Sequence, residues 1–244
     1  MWEVKPPDRN LLDARGLLVV GTHPKCGKSV ACAGLAGVLN DLGFTVQAIK
    51  PFSFQPEVTI RDGYEQAFFD RLNPPQQPLE LFAKPSPRKV TAGDWQHLQE
   101  LCRKRVYPYI LEAPGSLASP IRFVDVELND AVDLSKALEI PLVLVTTKSP
   151  DVIGTLAPML SYLWSRDAKA IGWMAVETQP VRVPDWEQDV LFLRGHTDIP
   201  YLGEIAYSPS ISVEALQQGN LFRITELGVD LLPIQQALNL RVPY

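Results

Sequence analysis

The first residues of this chain that could do chemistry lie between Gly21 and Ser29, in the stretch GTHPKCGKS. A glycine-rich turn that ends in Gly-Lys-Ser and leads into a helix is typical of a loop that binds phosphate. Main-chain amides and the positive end of the helix face the anion, Lys28 neutralises phosphate oxygens, and the Ser29 hydroxyl suits magnesium. We therefore predict a nucleotide site formed by residues of this loop and of the start of the helix: Gly21, Thr22, Lys25, Cys26, Gly27, Lys28, Ser29 and Val30.

Two further charged residues follow apolar runs that resemble buried strands. Lys50 follows TVQAI, at the kind of strand end that faces a ligand crevice in parallel sheets; the alternative is a surface lysine whose stem lies along the protein. Glu112 ends YPYILE, where a carboxylate is costly to bury unless it has a cation partner. The position of Glu112 therefore indicates a metal ion, and magnesium accepts carboxylate, hydroxyl and phosphate oxygens together.

The elements that must position these residues alternate between strands and helices. GLLVVG predicts a buried parallel strand, and a helix runs from Ser29 until Gly43 ends it. FTVQAIKPF predicts the second strand, which completes a βαβ unit. The same alternation continues with helices over 64–72, 94–104, 130–138 and 154–164, and with strands at YPYILEA, IPLVLVTT and AIGWMAVE. This order predicts an α/β fold of the P-loop type, with a doubly wound, mainly parallel sheet and helices on both faces.

Composition narrows the class of protein. The chain has 244 residues, of which 46% are hydrophobic and 21% charged, and we expect one domain over residues 1–244 with an N-terminal arm at 1–15. The net charge of −5 argues against a nucleic-acid partner, and we interpret Arg103, Lys104 and Arg105 as a solvated helix end. No apolar run approaches the roughly 20 residues of a membrane span, and the first residues lack a signal-peptide layout, so we expect a cytoplasmic protein without membrane partners.

The order of motifs resembles the dethiobiotin synthetase family. GTHPKCGKS is similar to that family's Gly-Thr-Asp-Thr-x-x-Gly-Lys-Thr, and AIKPF to its Lys-Pro after the second strand. FAKPSPRKVTA, YILEAPGS, IPLVLVTT and YLGEIAY then match its Pro-x-x-Ser-Pro-His, Val-Glu-Gly-Ala-Gly-Gly, Leu-Pro-Val-Ile-Leu-Val and Leu-Gly-Glu-Ile-Pro stretches. The resemblance covers about residues 16–207.

The resemblance implies an ATP- and magnesium-dependent cyclo-ligase of biotin biosynthesis. Such an enzyme closes the ureido ring of dethiobiotin from 7,8-diaminopelargonate and carbon dioxide, through a mixed carbamic-phosphoric anhydride, and acts as a homodimer. Lys28 and Lys50 then match the catalytic lysines, and Ser29, Asp62 and Glu112 the magnesium ligands, with Asp70 as an alternative to Asp62. The substrate-facing positions match Ser53, Ala113, Pro114, Gly115 and Ser116.

Several positions depart from the family pattern. His23 and Pro24 replace the loop's Asp-Thr, Arg88 replaces a histidine, and Pro114 removes an N–H donor. Glu177 stands where the family reads adenine with an asparagine, and because an ionised carboxylate only accepts hydrogen bonds, we hypothesise an altered nucleotide preference. The alternative is that Glu177 is a surface residue.

Two classes of function remain open. The chain is either a ligase of this family, acting on 7,8-diaminopelargonate or another amine, or an inactive nucleotide-binding regulatory relative. Retention of Lys50 favours the enzyme. We interpret Cys26 as an inert loop cysteine; the alternative is a thiolate, which its lysine neighbour and the helix N-terminus would favour.

Overall fold

The structure, a computed structural model, describes residues 15–54, 64–72 and 82–240. The predicted arm lies outside this part of the chain except for Arg15. The strands are β1 (Gly16–Gly21), β2 (Gln47–Ile49), β3 (Phe52–Phe54), β4 (Phe82–Lys84), β5 (Tyr109–Glu112), β6 (Arg122–Val124), β7 (Glu127–Asn129), β8 (Leu142–Thr147), β9 (Ala170–Val176) and β10 (Tyr201–Ile205). The helices are α1 (Lys28–Asp41), α2 (Tyr64–Leu72), α3 (Ala92–Arg103), α4 (Ala131–Leu138), α5 (Val152–Ser165), α6 (Trp186–His196), α7 (Leu221–Gly228) and α8 (Leu232–Ala237).

Six strands form the central sheet in the order β10-β9-β8-β1-β5-β2. Every neighbouring pair in this sheet is parallel. Parallel strands that are joined through helices have their carboxyl ends at the same edge of the sheet. The loop after β1, Lys50 after β2 and Glu112 at the end of β5 therefore lie at one edge, on three neighbouring strands.

Two apolar cores lie on opposite faces of the sheet. On β1, Leu18 and Val20 belong to one core, which also contains buried residues of α3, α4, α5 and α6. Leu17 and Val19 belong to the other core, with residues of α1, α2, α7 and α8. Successive residues of a strand point to opposite faces, so the continuous apolar run of β1 serves both cores. Helices on both faces confirm the predicted doubly wound α/β fold.

Most predicted elements are present, and two interpretations were wrong. The predicted second strand over 44–52 is shorter, because β2 ends at Ile49 and β3 begins at Phe52 in a separate parallel pair with β4. Arg105 does not end a solvated helix: it is buried, donates a hydrogen bond to Gln47 and lies over the ring of Tyr109. The antiparallel β6–β7 pair has no counterpart in the sequence prediction.

Within the described ranges, no helix is both long and apolar enough to span a membrane.

Candidate active site

The phosphate loop begins where β1 ends and becomes α1 at Lys28. Gly27 adopts φ +97°, and a Cβ atom there would lie 2.6 Å from the Cβ of Val176, so both conformation and space require glycine. The N-terminus of α1 has no side-chain cap and no acidic residue in its first turn, whereas α3 and α4 each begin with a capping box. Because free N–H groups at a helix N-terminus favour anions, this end of α1 suits a phosphate group.

Lys28 is almost completely buried and reaches across the loop to the segment after β5. Its Nζ donates a hydrogen bond to the main-chain oxygen of Gly115 at 2.7 Å, and Lys28 as a whole is 7% exposed. The N–H of Leu117 bonds in turn to the oxygen of Gly21 at 2.7 Å. The predicted catalytic lysine and the predicted substrate segment, Ala113 to Ser116, are therefore in direct contact.

Glu112 lies beneath the same loop with a carboxylate that is only partly satisfied. Its side chain is 5% exposed, and Oε2 has no hydrogen-bond partner within the described residues. Burial raises the pKa of Glu112, while Lys50, Lys28 and a hydrogen bond from the Ser29 side chain act in the opposite direction. A buried, partnerless carboxylate oxygen next to a hydroxyl group is suited to a divalent cation.

Lys50 is held between two carboxylates. Its Nζ lies 2.8 Å from Oε1 of Glu65 and 4.0 Å from Oε1 of Glu112. Its main-chain N–H donates to the side-chain oxygen of Gln66 at 2.9 Å. The first turn of α2 therefore binds both the main chain of Lys50, through Gln66, and its ammonium group, through Glu65. This placement favours the crevice interpretation of Lys50 over the surface one.

Of the acidic residues near α2, the structure brings Glu65 to the site, and the sequence reasoning missed it. Asp62 lies outside the described residues, and its predicted role as a metal ligand stays a prediction. Asp70 is exposed and accepts a hydrogen bond from Gln66 at 2.8 Å. The available signal for Glu65 was its position in the first turn of a predicted helix close to Lys50.

The predicted substrate positions differ in burial and in whether their main-chain N–H groups are available to a ligand. Ser53 is buried in β3, and Ala113 and Pro114 are buried after β5. Gly115 has φ +67°, and the N–H of Ser116 already donates to Ser119 Oγ at 2.9 Å. The main-chain donors of this segment are thus fewer than the family pattern would supply.

Glu177 lies at the end of β9 in a group of charges rather than alone on the surface. Its Oε1 is 2.8 Å from Lys148 Nζ, and its Oε2 accepts a hydrogen bond from the N–H of Tyr207 at 2.9 Å. Lys148 also pairs with Glu204 at 2.9 Å. The Lys148 hydrogen bond keeps the pKa of Glu177 low despite burial. A fixed, ionised carboxylate therefore stands directly after Val176, which packs on Gly27.

Cys26 is fully buried. Burial raises the pKa of its thiol more than Lys28 and nearby main-chain N–H groups lower it. The raised pKa supports the interpretation of Cys26 as an inert loop cysteine over that of a thiolate.

Comparison with known proteins places this geometry in a family. A family model described as "AAA domain" matches residues 15–215. The chain belongs to this AAA-domain family. Within it, the chain is a divergent member similar to ATP-dependent dethiobiotin synthetase BioD of Xanthomonas oryzae pv. oryzae strain PXO99A, with 25% identity over 218 residues, 82% of this chain and 95% of the relative. BioD of Haloferax mediterranei is 29% identical over 166 residues, which cover 63% of this chain and 68% of the relative.

Solved structures support the same fold for this AAA-domain protein. The MinC:MinD cell division complex of Aquifex aeolicus aligns with TM-score 0.55 and 14% identity, covering 95% of this chain and 98% of that one. The signal recognition particle receptor FtsY of Elizabethkingia anophelis, in complex with GDP, aligns with TM-score 0.55 and 10% identity, covering 93% and 64%. At these identities the likeness shows the fold alone.

The residues of this AAA-domain protein fit a magnesium nucleotide. The described residues contain no group of three His, Cys, Asp or Glu side chains that could hold a metal ion by themselves. Magnesium, however, commonly binds one or two protein oxygens and takes its other ligands from substrate phosphates and water. Ser29 and the buried Oε2 of Glu112, which has no hydrogen-bond partner among the described residues, supply that kind of donor set beside a loop shaped for phosphate.

Proposed function

We propose that this protein is an ATP-dependent cyclo-ligase that converts 7,8-diaminopelargonate and carbon dioxide into dethiobiotin. The similarity to dethiobiotin synthetases over most of both chains supports this class of reaction. The observation that carries the proposal is the position of Lys50, whose ammonium group lies 4.0 Å from Glu112 at the edge of the sheet that bears the phosphate loop. A protein that only binds nucleotide needs Lys28 and Ser29 but has no use for a second, partly buried lysine there.

The proposed reaction assigns a separate task to each residue. One amine of the substrate takes up carbon dioxide to form a carbamate, and a carbamate oxygen attacks the γ-phosphorus of ATP while ADP leaves. The second amine then attacks the carbamoyl carbon, the ureido ring closes, and phosphate leaves with the carbamate oxygen. Lys28 neutralises the transferring phosphoryl group, and Lys50 holds the carbamate against it.

Magnesium, when bound, offsets the negative charge of the phosphates. Ser29 and Glu112 are the residues that would hold it. The lysines act in a site with little solvent access, since Lys28 is 7% exposed as a residue and the Lys50 side chain 14%. Charge interactions are stronger where water is excluded, so two fixed ammonium groups favour the crowded anionic transition state without reorganisation.

Product formation tests this proposal. We expect dethiobiotin, detected by mass spectrometry, from 7,8-diaminopelargonate, bicarbonate, magnesium and ATP. Lys50→Ala removes the carbamate contact and should abolish product while magnesium-nucleotide binding persists. Lys104→Ala is the matched control, because Lys104 is an exposed lysine whose ion pair among the described residues is with Glu100, and it should behave as the unmodified protein.

A second candidate function is supported by the segment after Glu112. Pro114 has no N–H group, and the N–H of Ser116 is occupied by Ser119. A relative that binds nucleotide to regulate a partner, or a ligase for a different amine, would need fewer donors here. Tight magnesium-dependent nucleotide binding without dethiobiotin would favour this candidate, and a screen of other diamines under the same conditions would separate its two forms.

A further inference from the structure

His23 is a loop residue to which the proposed reaction gives no task. It lies two residues after Gly21, and both nitrogens of its ring contact hydroxyl groups. Nδ1 is 2.9 Å from Thr22 Oγ1, and Nε2 is 3.2 Å from Thr147 Oγ1 at the end of β8. The imidazole thus connects the phosphate loop with the neighbouring strand.

The hydroxyl groups determine where the proton of the neutral ring lies. Thr22 Oγ1 donates its one hydrogen to Thr146 Oγ1 at 3.2 Å. Because that hydroxyl cannot also donate to His23, the Nδ1–H of His23 donates to Thr22. Nε2 of the neutral ring then carries a lone pair and accepts from the Thr147 hydroxyl.

The charges around His23 disfavour a second proton in the nucleotide-free protein. Burial and then the ammonium group of Lys28 lower the pKa of His23. Lys25, in the same loop, is exposed. Lys148, which follows Thr147, has its charge offset by Glu177 and Glu204. The negative charge of a triphosphate in the loop would outweigh the positive charge of Lys28. Nucleotide binding would therefore favour the protonated form of His23.

We propose that His23 is a further nucleotide-binding residue, which takes up a proton from solvent when a triphosphate occupies the loop. The proton adds to Nε2, Nε2–H then donates to Thr147 Oγ1, and the hydroxyl hydrogen of Thr147 turns away from the ring. The imidazolium adds a second positive charge to the loop that carries Lys28. This proposal rests only on the nucleotide-binding half of the proposed function and not on ring closure.

Calorimetry of binding tests the proposal without relying on catalysis. The probe is the magnesium complex of a non-hydrolysable ATP analogue, titrated at pH 7 in buffers of different ionisation enthalpy. Because an opposite charge within about 4–6 Å commonly shifts a pKa by one to three units, we expect the unmodified protein to take up at least about 0.3 proton more per nucleotide than His23→Asn. His196→Asn is the matched control, since His196 is exposed and its hydrogen bond within the described part of the chain is to Phe192 of its own helix, and it should give the proton count of the unmodified protein.

Nitrogen NMR of the unmodified protein gives a readout that needs no variant. We expect the shifts of a neutral Nδ1–H ring for His23 without nucleotide and of an imidazolium with it. A ring that stays neutral in the complex, or equal proton counts for the unmodified protein and His23→Asn, would overturn the proposal. Failure to bind any nucleotide would overturn it together with the proposed function. Proton uptake on nucleotide binding, combined with an absence of dethiobiotin in the product assay, would support it and contradict only the proposed reaction of 7,8-diaminopelargonate.

Discussion

Lys50 and Glu65 form an ion pair of 2.8 Å between the edge strand of the sheet and the first turn of α2. Glu65 fixes the ammonium group at the position where the proposed reaction needs it, so its loss should affect the amine substrate rather than the nucleotide. We expect Glu65→Gln to lower kcat/KM for the diamine about fivefold, which corresponds to about 1 kcal/mol for a partly exposed pair, with unchanged ATP affinity. Steady-state kinetics with each substrate varied will measure this.

The matched control for Glu65 lies on the same helix. Asp70→Asn makes the same change of charge at an exposed position and keeps an accepting oxygen for Gln66. It should leave the kinetics unchanged. Equal effects of the two substitutions would mean that Glu65 acts only through the general charge of α2.

The buried carboxylate of Glu112 predicts a pH dependence of stability. Because burial raises its pKa in the folded protein, the folded state holds this proton more strongly than the unfolded state. The contribution of Glu112 to the free energy of unfolding therefore falls as pH rises above the ordinary glutamate pKa of about 4.3 towards the raised folded value.

Glu112→Gln removes this titration. Without nucleotide and magnesium, we expect the variant to be more stable than the unmodified protein at pH 7, by about 1.4 kcal/mol for each factor of ten by which folding strengthens proton binding at Glu112, and equally stable near pH 4. Denaturant unfolding across this range will measure the difference. A variant that is less stable at pH 7 would show that the Lys50 and Lys28 attractions outweigh the cost of burial.

Substitutions at Gly27 and Gly43 distinguish the cost of backbone strain from the cost of steric crowding. Both have positive φ, +97° and +88°, but a Cβ at Gly27 would lie 2.6 Å from Val176, whereas nothing lies within 4 Å of one at Gly43. We expect Gly43→Ala to cost about 1–2 kcal/mol of unfolding free energy and to keep nucleotide binding. Gly27→Ala should cost at least about 1 kcal/mol more because of the overpacking, and should lose binding.

A second substitution tests the cause of the Gly27 effect. Val176→Ala in the Gly27→Ala background removes the atoms that the new Cβ would meet, so part of the stability should return. No recovery would mean that the left-handed conformation, and not Val176, requires glycine there.

The Glu177 carboxylate predicts a shift in nucleotide preference. It is held by Lys148 and Tyr207 and stays ionised, so it offers acceptors to a base whose edge presents two donors, as guanine does. We expect GTP to bind at least as tightly as ATP, and Glu177→Asn to move the affinity ratio towards ATP about tenfold, the scale of one charge-assisted hydrogen bond. Parallel titrations with ATP, GTP and CTP will measure the ratio.

Glu204→Gln is the control for this preference, because Glu204 shares Lys148 but does not bond to Tyr207. It should change the ratio less than Glu177→Asn does. A clear preference for ATP that Glu177→Asn leaves unchanged would contradict the hypothesis.

Much of the fold could be predicted from local pattern. The apolar run GLLVVG and the helix that Gly43 ends appear as β1 and α1, because burial on both faces and the loss of helical φ at glycine are local properties. Arg105 and Cys26 could not be placed in this way. Their burial depends on Gln47, Tyr109 and the folded loop, which are distant in sequence or fixed only by tertiary contacts.

The site was predictable to the extent that strand ends mark it. Glu112 and Lys50 each follow an apolar run, so their position at the ligand edge follows from a parallel sheet. Glu65 and the hydroxyl contacts of His23 depend on how α2 and β8 pack beside the loop. Sequence spacing carries no information on those contacts.

Transfer of oxygen from carbon dioxide to phosphate tests the ligase most directly. The reaction starts with 18O-labelled bicarbonate, 7,8-diaminopelargonate and unlabelled magnesium ATP, and is stopped before the label exchanges with water. If a carbamate oxygen attacks the γ-phosphorus, each phosphate released with dethiobiotin carries one labelled oxygen. Unlabelled phosphate, released without dethiobiotin, would show that the protein hydrolyses ATP and would contradict the proposed function.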